Sequence, residues 1–587
     1  MRQVHAHQQL SPKARSLSVS RPNHQLEAAI HQFSSQPGVT HDQVSQVRNA
    51  IAVESRTLDG LNTAAATGHL NGFALDEASG NQNSVGQYEK SSGIVSLPAS
   101  AFSSSSAATG SDLAATVRVQ SMIVAFSNST YVDASGVQQR VSSDMSANLQ
   151  STLNGSPALV REVRRAAMTP DAAAPDHYAL EHFAVLRLGL AAGGTYDGVT
   201  HTMNLPAPAL MTRSGNGSIG KFDVNDLTFV IGHEIQHGFN RSDKVRVVNE
   251  FNASIKRVAA GRGNVHDYTD PMQHYIQGSR EDESKAEIAG WNALVSRQKE
   301  LKPGTTLNDM AMVSTSRTGD FVERDPQSPM RSIGRPDLTF NADLTLSQMP
   351  SNIEAMGKHY FDRPSKDYVT EKSIERPMAL GDSHASDYAN YYGRWPLQEI
   401  IAAEASSTLG RKGVSEMTID MGAIGLKEDL LEREGMDLGK RSSWPYFDST
   451  QLPSAPHRFD HTADGVNKNR YLPIEAAADG PLHRELRKLL PEGTSEDRLA
   501  QIALAAKQGG IEAGQIRTLD VQGDRLMMTG EIVGTRAIVD LNRAPPPAQE
   551  SNQQFQATEQ AQQQMMQEQQ AQAQSAQQSG PVMSMGG

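Results

Sequence analysis

The chain has 587 residues, a formal net charge of −12 at pH 7 and no cysteine. The lack of cysteine excludes disulfides, thiol catalysis and thiolate metal sites, so any metal site in this chain must consist of histidines and carboxylates. The acidic balance argues against a general nucleic-acid partner, which needs a basic surface, and the length predicts at least two domains.

Both ends of the chain are predicted to be disordered. Hydrophobic residues make up 37% of the chain and aromatic residues only 5%, so some segments cannot bury enough apolar surface to fold. Residues 1–22 are polar and without periodicity, and residues 552–587 are rich in glutamine. No apolar run has the length of a signal-peptide core or of a membrane span. We therefore expect no membrane span, synthesis in the cytoplasm and, if the protein is exported, a route that needs no signal peptide.

A sequence repeat occupies residues 86–102 and 194–210. In each copy a Gly-x-Tyr-acid segment precedes a Leu-Pro-Ala segment, and the tyrosines Tyr88 and Tyr196 lie at the same distance in sequence before Leu-Pro-Ala. Each copy follows a mostly helical segment, so a duplicated helix-plus-hairpin unit is the simplest interpretation. The alternative is a pair of similar turns, each before a buried strand.

The middle of the chain contains a predicted helix that carries two imidazoles and a carboxylate. His233 and His237 are one helical turn apart, so they lie on one face and can grip one ion, and Glu234 stands between them in sequence. Asp223 or Asn225 would cap the start of the helix. An apolar stripe repeats at the same spacing on the opposite side: Leu227, Ile231 and Ile235.

This His-Glu-x-x-His pattern resembles the zincin metallopeptidases. The resemblance implies that His233 and His237 bind Zn²⁺, whereas Glu234 stays off the metal, takes a proton from water and passes it to the leaving amine. The repeat copy at 194–210 precedes this helix, where zincins carry the sheet whose edge strand pairs with an extended substrate. The alternative is an ordinary amphipathic helix with solvated histidines.

A second predicted helix, residues 280–293, offers the third protein ligand that a catalytic zinc needs. It resembles the Glu-x-x-Ala-acid element of the glutamate-type zincins. On that pattern Glu283 binds the metal, and Glu287, one turn later, contacts a histidine ligand. Glu287 as the ligand, or a merely solvated acidic helix, are the alternatives. Small residues would let this helix approach the first closely: Ala286, Ala289 or Gly290, and Ala293.

Two features follow the acidic helix. Residues 305–350, rich in Asp, Pro, Ser and Arg, predict a surface excursion that could wall the cleft. Farther on, zincins commonly use a His or Tyr to donate a hydrogen bond to the oxyanion. The candidates here are His384, Tyr388, Tyr391 and Tyr392, although tyrosines at this spacing more often only pack.

The C-terminal part of the chain predicts a linker over residues 442–469 and a compact unit over residues 470–551, with two amphipathic helices and three short strands. This unit resembles the C-terminal domain of Xanthomonadales type IV secretion effectors, the module that the coupling ATPase of an antibacterial secretion system reads. It departs from that family at Met528-Thr-Gly530, where Val-Gln-Gly is usual. The matching residues are Gly510-Ile511, Ile516, Leu526 to Glu531, Arg536 to Asp540, Pro545 to Pro547 and Glu550-Ser551 before the Gln-rich tail.

Together these features predict an α+β protein in which residues 23–441 form a zincin-like metallopeptidase domain that begins with the duplicated unit. The resemblances imply a zinc-dependent peptidase that acts as an antibacterial toxin, enters target cells by type IV secretion and cleaves a protein or peptide there. A cognate immunity protein would protect the producer. The alternatives are a non-catalytic secreted binding or adaptor protein and a hydrolase of peptidoglycan peptides.

Overall fold

The computed structural model describes residues 21–76, 84–102, 107–133, 136–186, 193–212, 220–369, 377–378, 380, 386–407, 416–450, 452, 454–463, 481–491, 494–532, 535–546, 548, 551–552, 554–555 and 558. Most of the two segments predicted to be disordered, 1–22 and 552–587, lies outside the described residues.

Three helices and a three-stranded sheet come first. Side chains cap the N-termini of the first two helices. Asn23 accepts a hydrogen bond from Leu26 N at 2.8 Å, and Thr40 forms a capping box with Gln43. The elements are α1 (His24–Ser34), α2 (His41–Ala52), α3 (Ser55–Ala66), β1 (Gly72–Asp76), β2 (Gln87–Glu89) and β3 (Ile94–Pro98).

A second group of helices and strands follows. The short antiparallel hairpin β4–β5 connects α4 to α5, the hairpin β6–β7 follows α6, and the last three strands form another sheet. The elements are α4 (Ala107–Ser127), β4 (Thr130–Val132), β5 (Gln138–Arg140), α5 (Ser143–Asn154), α6 (Pro157–Met168), β6 (Pro170–Asp171), β7 (Ala174–Tyr178), β8 (His182–Val185), β9 (Thr195–Asp197) and β10 (Thr202–Leu205).

The sequence repeat corresponds to a repeated sheet. The strand orders are β1-β3-β2 and β8-β10-β9, and in both sheets the first strand is parallel and the second antiparallel to the third. The hydroxyl of Tyr88 donates to His69 O at 2.7 Å, and that of Tyr196 donates to Ala179 O at 2.8 Å. Each carbonyl lies shortly before the first strand of its sheet, so the two copies agree in detail as well as in strand order.

Two long antiparallel helices form the centre of the molecule. The bounds are α7 (Ala207–Leu210), α8 (Val224–Ala259) and α9 (Thr269–Leu301). Asp223 caps α8 by accepting from the N–H groups of Asn225 and Asp226. A Cβ at Gly232 would lie 2.8 Å from Ala293 Cβ, and one at Gly290 would lie 2.6 Å from Phe229. The predicted stripe of small residues on α9 therefore lies where the two helices touch.

The helix α8 separates two hydrophobic cores. Its predicted apolar stripe is buried in the first core, which also contains both repeated sheets: Leu227, Ile231 and Ile235. Phe229 and Phe251 enter the second core, together with much of α9 and the segments that follow it. Packing on both sides holds α8 rigidly, which a site built on its side chains requires.

The segment predicted as a surface excursion is partly buried, since Phe321 is fully buried in the second core. It contains a hairpin and a 3₁₀ turn over Ser316–Asp320, and a π-helical turn over Gly357–Phe361 follows. The strand β11 (Val265–Asp267) lies between α8 and α9. The elements after α9 are α10 (Leu307–Ala311), β12 (Val322–Asp325), β13 (Ser328–Gly334), α11 (Pro350–Met356), α12 (Tyr388–Ser407), β14 (Glu416–Ile419), α13 (Met421–Ile424) and α14 (Glu428–Arg433).

The prediction of a linker over residues 442–469 is wrong for its first part. The strands β15 (Ser443–Asp448) and β16 (Ala455–Asp460) complete a four-stranded sheet of order β11-β14-β15-β16. Tyr446 and Phe459 stack with ring centroids 4.2 Å apart, and both are buried in the second core. The prolines suggested a linker, but Pro445 lies beyond the pairs that β15 makes with β14, and Pro456 lies on the edge strand β16. A residue without an N–H is tolerated at such positions.

The C-terminal unit has the predicted two helices and three strands and its own hydrophobic core. Its elements are α15 (Pro481–Leu489), α16 (Glu496–Gln508), β17 (Ile516–Gln522), β18 (Arg525–Gly530) and β19 (Arg536–Asp540), and the three strands form an antiparallel sheet in that order. The prediction of disorder from residue 552 onward is wrong at Phe555, which is buried in this core beside His483. Burial of the large aromatic side chain of Phe555 stabilises this position, although the surrounding sequence is rich in glutamine.

The fold class is α+β, as predicted. Helices predominate, and the strands form several small sheets. Among the described residues, none of the helices combines the length and apolar character needed to cross a membrane.

Candidate metal centre

Two imidazoles on α8 face each other in the interior of the protein. His233 and His237 are both buried, and their Nε2 atoms lie 3.1 Å apart. The spacing of one helical turn brings the rings onto the same face of α8. The structure thus brings together the two histidines of the motif, with their Nε2 atoms directed at one point.

Carboxylates on α9 lie beside Nδ1 of both rings. Asp282 Oδ1 lies 3.1 Å from Nδ1 of His237, and Glu287 Oε1 lies 3.1 Å from Nδ1 of His233. Because a carboxylate only accepts, the hydrogen bond with Asp282 favours a proton on Nδ1 of His237, and the nearby carboxylate of Glu287 favours one on Nδ1 of His233. Nε2 is then the atom of each ring that faces the other ring and that a cation between them would bind.

A third donor atom completes the group. Glu283 Oε2 lies 3.6 Å from Nε2 of His233, and it accepts no hydrogen bond from the described residues. Its other oxygen, Oε1, accepts a hydrogen bond from the hydroxyl of Tyr392 at 2.6 Å. Donors bound tetrahedrally to zinc at about 2.0–2.1 Å lie about 3.3 Å from one another, close to the separations seen here. His233, His237 and Glu283 could therefore hold a metal ion.

Glu287 lies on the other side of the His233 ring. Its carboxylate contacts Nδ1, whereas Glu283 faces Nε2. One ion cannot bind Nε2 of both histidines and also reach a carboxylate beyond Nδ1 of one of them. The geometry places Glu283, and not Glu287, in the group of three donors, and Glu287 contacts the far side of the His233 ring.

Glu234 lies beside the three donors and outside their group. It is buried, and it lines a cavity of about 10 Å³ with His233, Val230, Gly193 and Gly194, which is room for about one water molecule. Burial and the nearby carboxylate of Glu283 raise the pKa of Glu234 to about 8. A carboxylate with a raised pKa beside such a cavity is suited to exchange protons with a water molecule there.

The two imidazoles have opposite pKa shifts in the metal-free protein. Burial, reinforced by the neighbouring His237, lowers the pKa of His233 to about 3. Burial alone would also lower that of His237, but the contact with Asp282 prevails and raises the pKa of His237 to about 9. Asp282 is itself held by a hydrogen bond from Asn240 Nδ2 at 2.8 Å, and Lys244 Nζ lies 3.7 Å from it. Asp282 is thus the anchor of the His237 ring.

The residues predicted as oxyanion donors do not line the cavity beside Glu234 or lie outside the described part of the chain. His384 lies outside the described residues. The hydroxyl of Tyr388 donates to that of Tyr360 at 2.6 Å, and the hydroxyl of Tyr392 donates to Glu283. Tyr391 packs at a right angle against Tyr392. None of these three tyrosines lines the cavity beside Glu234.

Two residues that the sequence did not point to do line this cavity, Arg317 and Tyr360. Arg317 lies on the 3₁₀ turn within the segment predicted to wall the cleft, so the segment was identified but not the residue. Tyr360 lies in the π-helical turn, a rare conformation that often marks functional sites and leaves no clear signal in the sequence.

A second group with metal-binding residue types, His177, Glu181 and His201, is not arranged for an ion. The two rings stack with centroids 4.8 Å apart and only 6° between their planes, so their in-plane lone pairs do not converge. Arg56 forms an ion pair with Glu181 and lies 3.3 Å from Nδ1 of His177. His201 Nε2 lies 2.7 Å from Asp171 Oδ2. The ion pairs and ring stacking of this group suit a structural network.

Comparisons with models of known protein families, with curated proteins and with solved structures found no match to this chain. Its function is therefore inferred from the side chains of the site.

Proposed function

We propose that this chain is a zinc-dependent peptidase. The observation that carries the proposal is the convergence of two imidazole Nε2 atoms and the free oxygen of Glu283 on one point, next to the buried carboxylate of Glu234. Two imidazoles and one carboxylate are a donor set typical of catalytic zinc. Zinc supplies Lewis acidity, which favours the ionisation of water and polarises a carbonyl group.

Glu234 is the proposed general base and acid. Its carboxylate accepts a proton from a water molecule while the oxygen of that water forms a bond to the carbonyl carbon of the peptide. The carbonyl π electrons move to the carbonyl oxygen. When the C–N bond breaks, Glu234 returns the proton to the nitrogen, so that a carboxylic acid and an amine leave. The raised pKa of Glu234 supports the return of the proton to the nitrogen, because the group can hold a proton near neutral pH.

We further propose that the peptidase is an antibacterial toxin delivered by a type IV secretion system. The C-terminal unit supports this proposal, since it has a separate core and the two-helix, three-strand order expected of the secretion module. The coupling ATPase would bind this unit, and a cognate immunity protein would bind the cleft around His233 and Glu283. The substrate is a protein or peptide of the target bacterium.

The test compares three purified variants, His237→Ala, Glu234→Gln and the matched control Glu250→Gln. Glu250 is an exposed carboxylate on the same helix, paired with His274. We expect one zinc per chain in the unaltered protein, Glu234→Gln and Glu250→Gln, and loss of zinc in His237→Ala. Release of new amino termini from a bacterial proteome digest or from purified sacculi should vanish in His237→Ala and Glu234→Gln only.

Full hydrolytic activity in Glu234→Gln would overturn the peptidase proposal. Zinc binding without any hydrolysis of either substrate would instead indicate a binding or adaptor protein. Release from sacculi alone would identify peptidoglycan peptides as the substrate.

A further inference from the structure

The cavity beside Glu234 contains one cationic side chain, that of Arg317. Its lining comprises Gly193, Gly194, Val230, His233, Glu234, Arg317 and Tyr360. Negative charge that develops on an oxygen in this cavity would meet the guanidinium of Arg317 and the hydroxyl of Tyr360. These are the polar groups of the lining that are neither a metal donor nor the proposed base.

Asp226, in the first turn of α8, anchors the side chain of Arg317. Its Nε donates to Asp226 Oδ1 at 3.0 Å, and the same oxygen accepts a hydrogen bond from the hydroxyl of Thr315 at 2.9 Å. The guanidinium carbon lies 5.4 Å from the centre of the Phe229 ring. These contacts occupy one edge and one face of the guanidinium, so its position is fixed before any substrate arrives.

The terminal amino groups of Arg317 are available to donate hydrogen bonds to a substrate. Within the described part of the chain, the hydrogen bonds of this side chain use Nε alone, and its ion pair within 4.0 Å is with Asp226. Because Nε is the atom held by Asp226, the two terminal groups, with four N–H donors, extend away from that anchor. Burial alone would lower the pKa of Arg317, but Asp226 and Glu287 raise it above its usual range, so the side chain is cationic at every working pH.

Tyr360 is a weaker donor to an oxyanion than Arg317. Its hydroxyl oxygen already accepts from Tyr388 at 2.6 Å, and burial, together with Glu287, raises the pKa of Tyr360 well above its usual value. A neutral hydroxyl contributes one hydrogen bond, whereas a guanidinium contributes charge and two parallel donors. The cation is therefore the group expected to stabilise developing negative charge more strongly.

We propose that Arg317 is a catalytic residue that binds the carbonyl oxygen of the scissile peptide and stabilises its negative charge in the transition state. The proposal rests on the proposed peptidase function. The N–H groups of Arg317 donate to the carbonyl oxygen as its π electrons move onto it, and no proton leaves the guanidinium. The preorganised contact with Asp226 makes that carboxylate a positioning residue for Arg317.

A purely structural role for Arg317 would be to neutralise Asp226 and Glu287. In that case its replacement would lower stability or metal affinity, and activity would fall in proportion. A catalytic role predicts a fall in kcat with unchanged zinc content. It also predicts a selective loss of affinity for compounds that carry a tetrahedral anion.

The experiment uses the full chain and the variants Arg317→Ala, Arg317→Lys and Arg324→Ala. Arg324 is an exposed arginine on β12 in the same segment, and it does not line the cavity, so its variant is the matched control. Zinc content and thermal unfolding are measured first. Hydrolysis of a pool of internally quenched fluorescent peptides follows, with and without added guanidinium. Calorimetric titration with short phosphinic peptides then measures affinity independently of turnover.

We expect Arg317→Ala to keep its zinc and to lose kcat by about 100- to 1,000-fold, as for removal of an oxyanion donor, with a smaller change in KM. Arg317→Lys should lose less, since it keeps the charge but not the planar fork. Affinity for the phosphinic peptides should fall with kcat in both variants. Added guanidinium should restore part of the activity of Arg317→Ala alone. Arg324→Ala should match the unaltered protein in every measurement.

Unchanged kcat and unchanged phosphinic-peptide affinity in both zinc-loaded Arg317 variants would overturn the proposal. A parallel loss of zinc and activity in both variants would also overturn it in favour of the structural role. An unaltered protein that binds zinc but hydrolyses no peptide would instead refute the proposed peptidase function, so the two failures are distinguishable.

Discussion

Replacement of Glu283 or Glu287 by glutamine tests which acidic residue of α9 completes the metal site. Both carboxylates are buried, and both lie close to His233. Glutamine keeps the volume of the side chain and removes its charge, so it creates no cavity. The two carboxylates lie one helical turn apart on opposite sides of the same ring, and their replacement should therefore have different consequences.

The magnitudes follow from the two contacts. Glu287 touches Nδ1 of His233 at 3.1 Å, and loss of such an outer contact typically weakens metal binding by about 10- to 100-fold, or about 1.4–2.7 kcal/mol. Glu283 offers an oxygen to the ion itself. Its loss leaves two protein ligands, too few for a catalytic zinc site, so the decrease in affinity should exceed about 100-fold.

Competition between the metal-free variants and a chromophoric zinc chelator measures both affinities. Glu281→Gln is the matched control, since Glu281 lies on the same helix and accepts a hydrogen bond from Gln277 at the surface. Thermal unfolding of the metal-free proteins checks that each variant is folded. If Glu287→Gln abolished zinc binding while Glu283→Gln left it intact, the ligand assignment would be wrong by one helical turn.

Three further outcomes are expected. Tyr392→Phe removes the hydroxyl that donates to Glu283 Oε1 at 2.6 Å, and the same chelator competition should show a loss of zinc affinity of about 10-fold; an unchanged affinity would contradict this role. Burial, His201 and Arg56 lower the pKa of His177 from 6.5 to about 4 in the folded protein. As the pH falls from 6.5 to about 4, His177 is therefore protonated in the unfolded chain before it is protonated in the folded one, and the free energy of unfolding should decrease. His177→Gln should flatten that part of the profile, and a profile identical to that of the unaltered protein would refute the assignment. Truncation after residue 469 should leave zinc binding unchanged and abolish contact-dependent killing of a competitor bacterium. Undiminished killing by this truncated protein would reject the secretion module. Truncation after residue 441 also removes β15 and β16 and should lower Tm sharply.

Local patterns in the sequence determined a large part of this structure. The spacing of His233 and His237 and the apolar stripe behind them both follow from the 3.6-residue period of a helix, so they are visible without tertiary information. The cap at Asp223 involves only neighbouring residues, and the repeated sheets are indicated by the repeat in the sequence. The absence of cysteine by itself restricts any metal site to imidazoles and carboxylates.

The tertiary structure decided everything that depends on how α8 and α9 meet. Helical spacing alone does not distinguish Glu283 from Glu287, which are one turn apart on one helix face, although the resemblance favoured Glu283. The rotation of α9 against α8 puts Glu283 at Nε2 and Glu287 at Nδ1 of His233. Arg317 and Tyr360 reach the cavity from turns far along the chain. No periodic pattern encodes such long-range contacts, because the closure of the intervening chain and the packing of two cores bring these residues to the cavity.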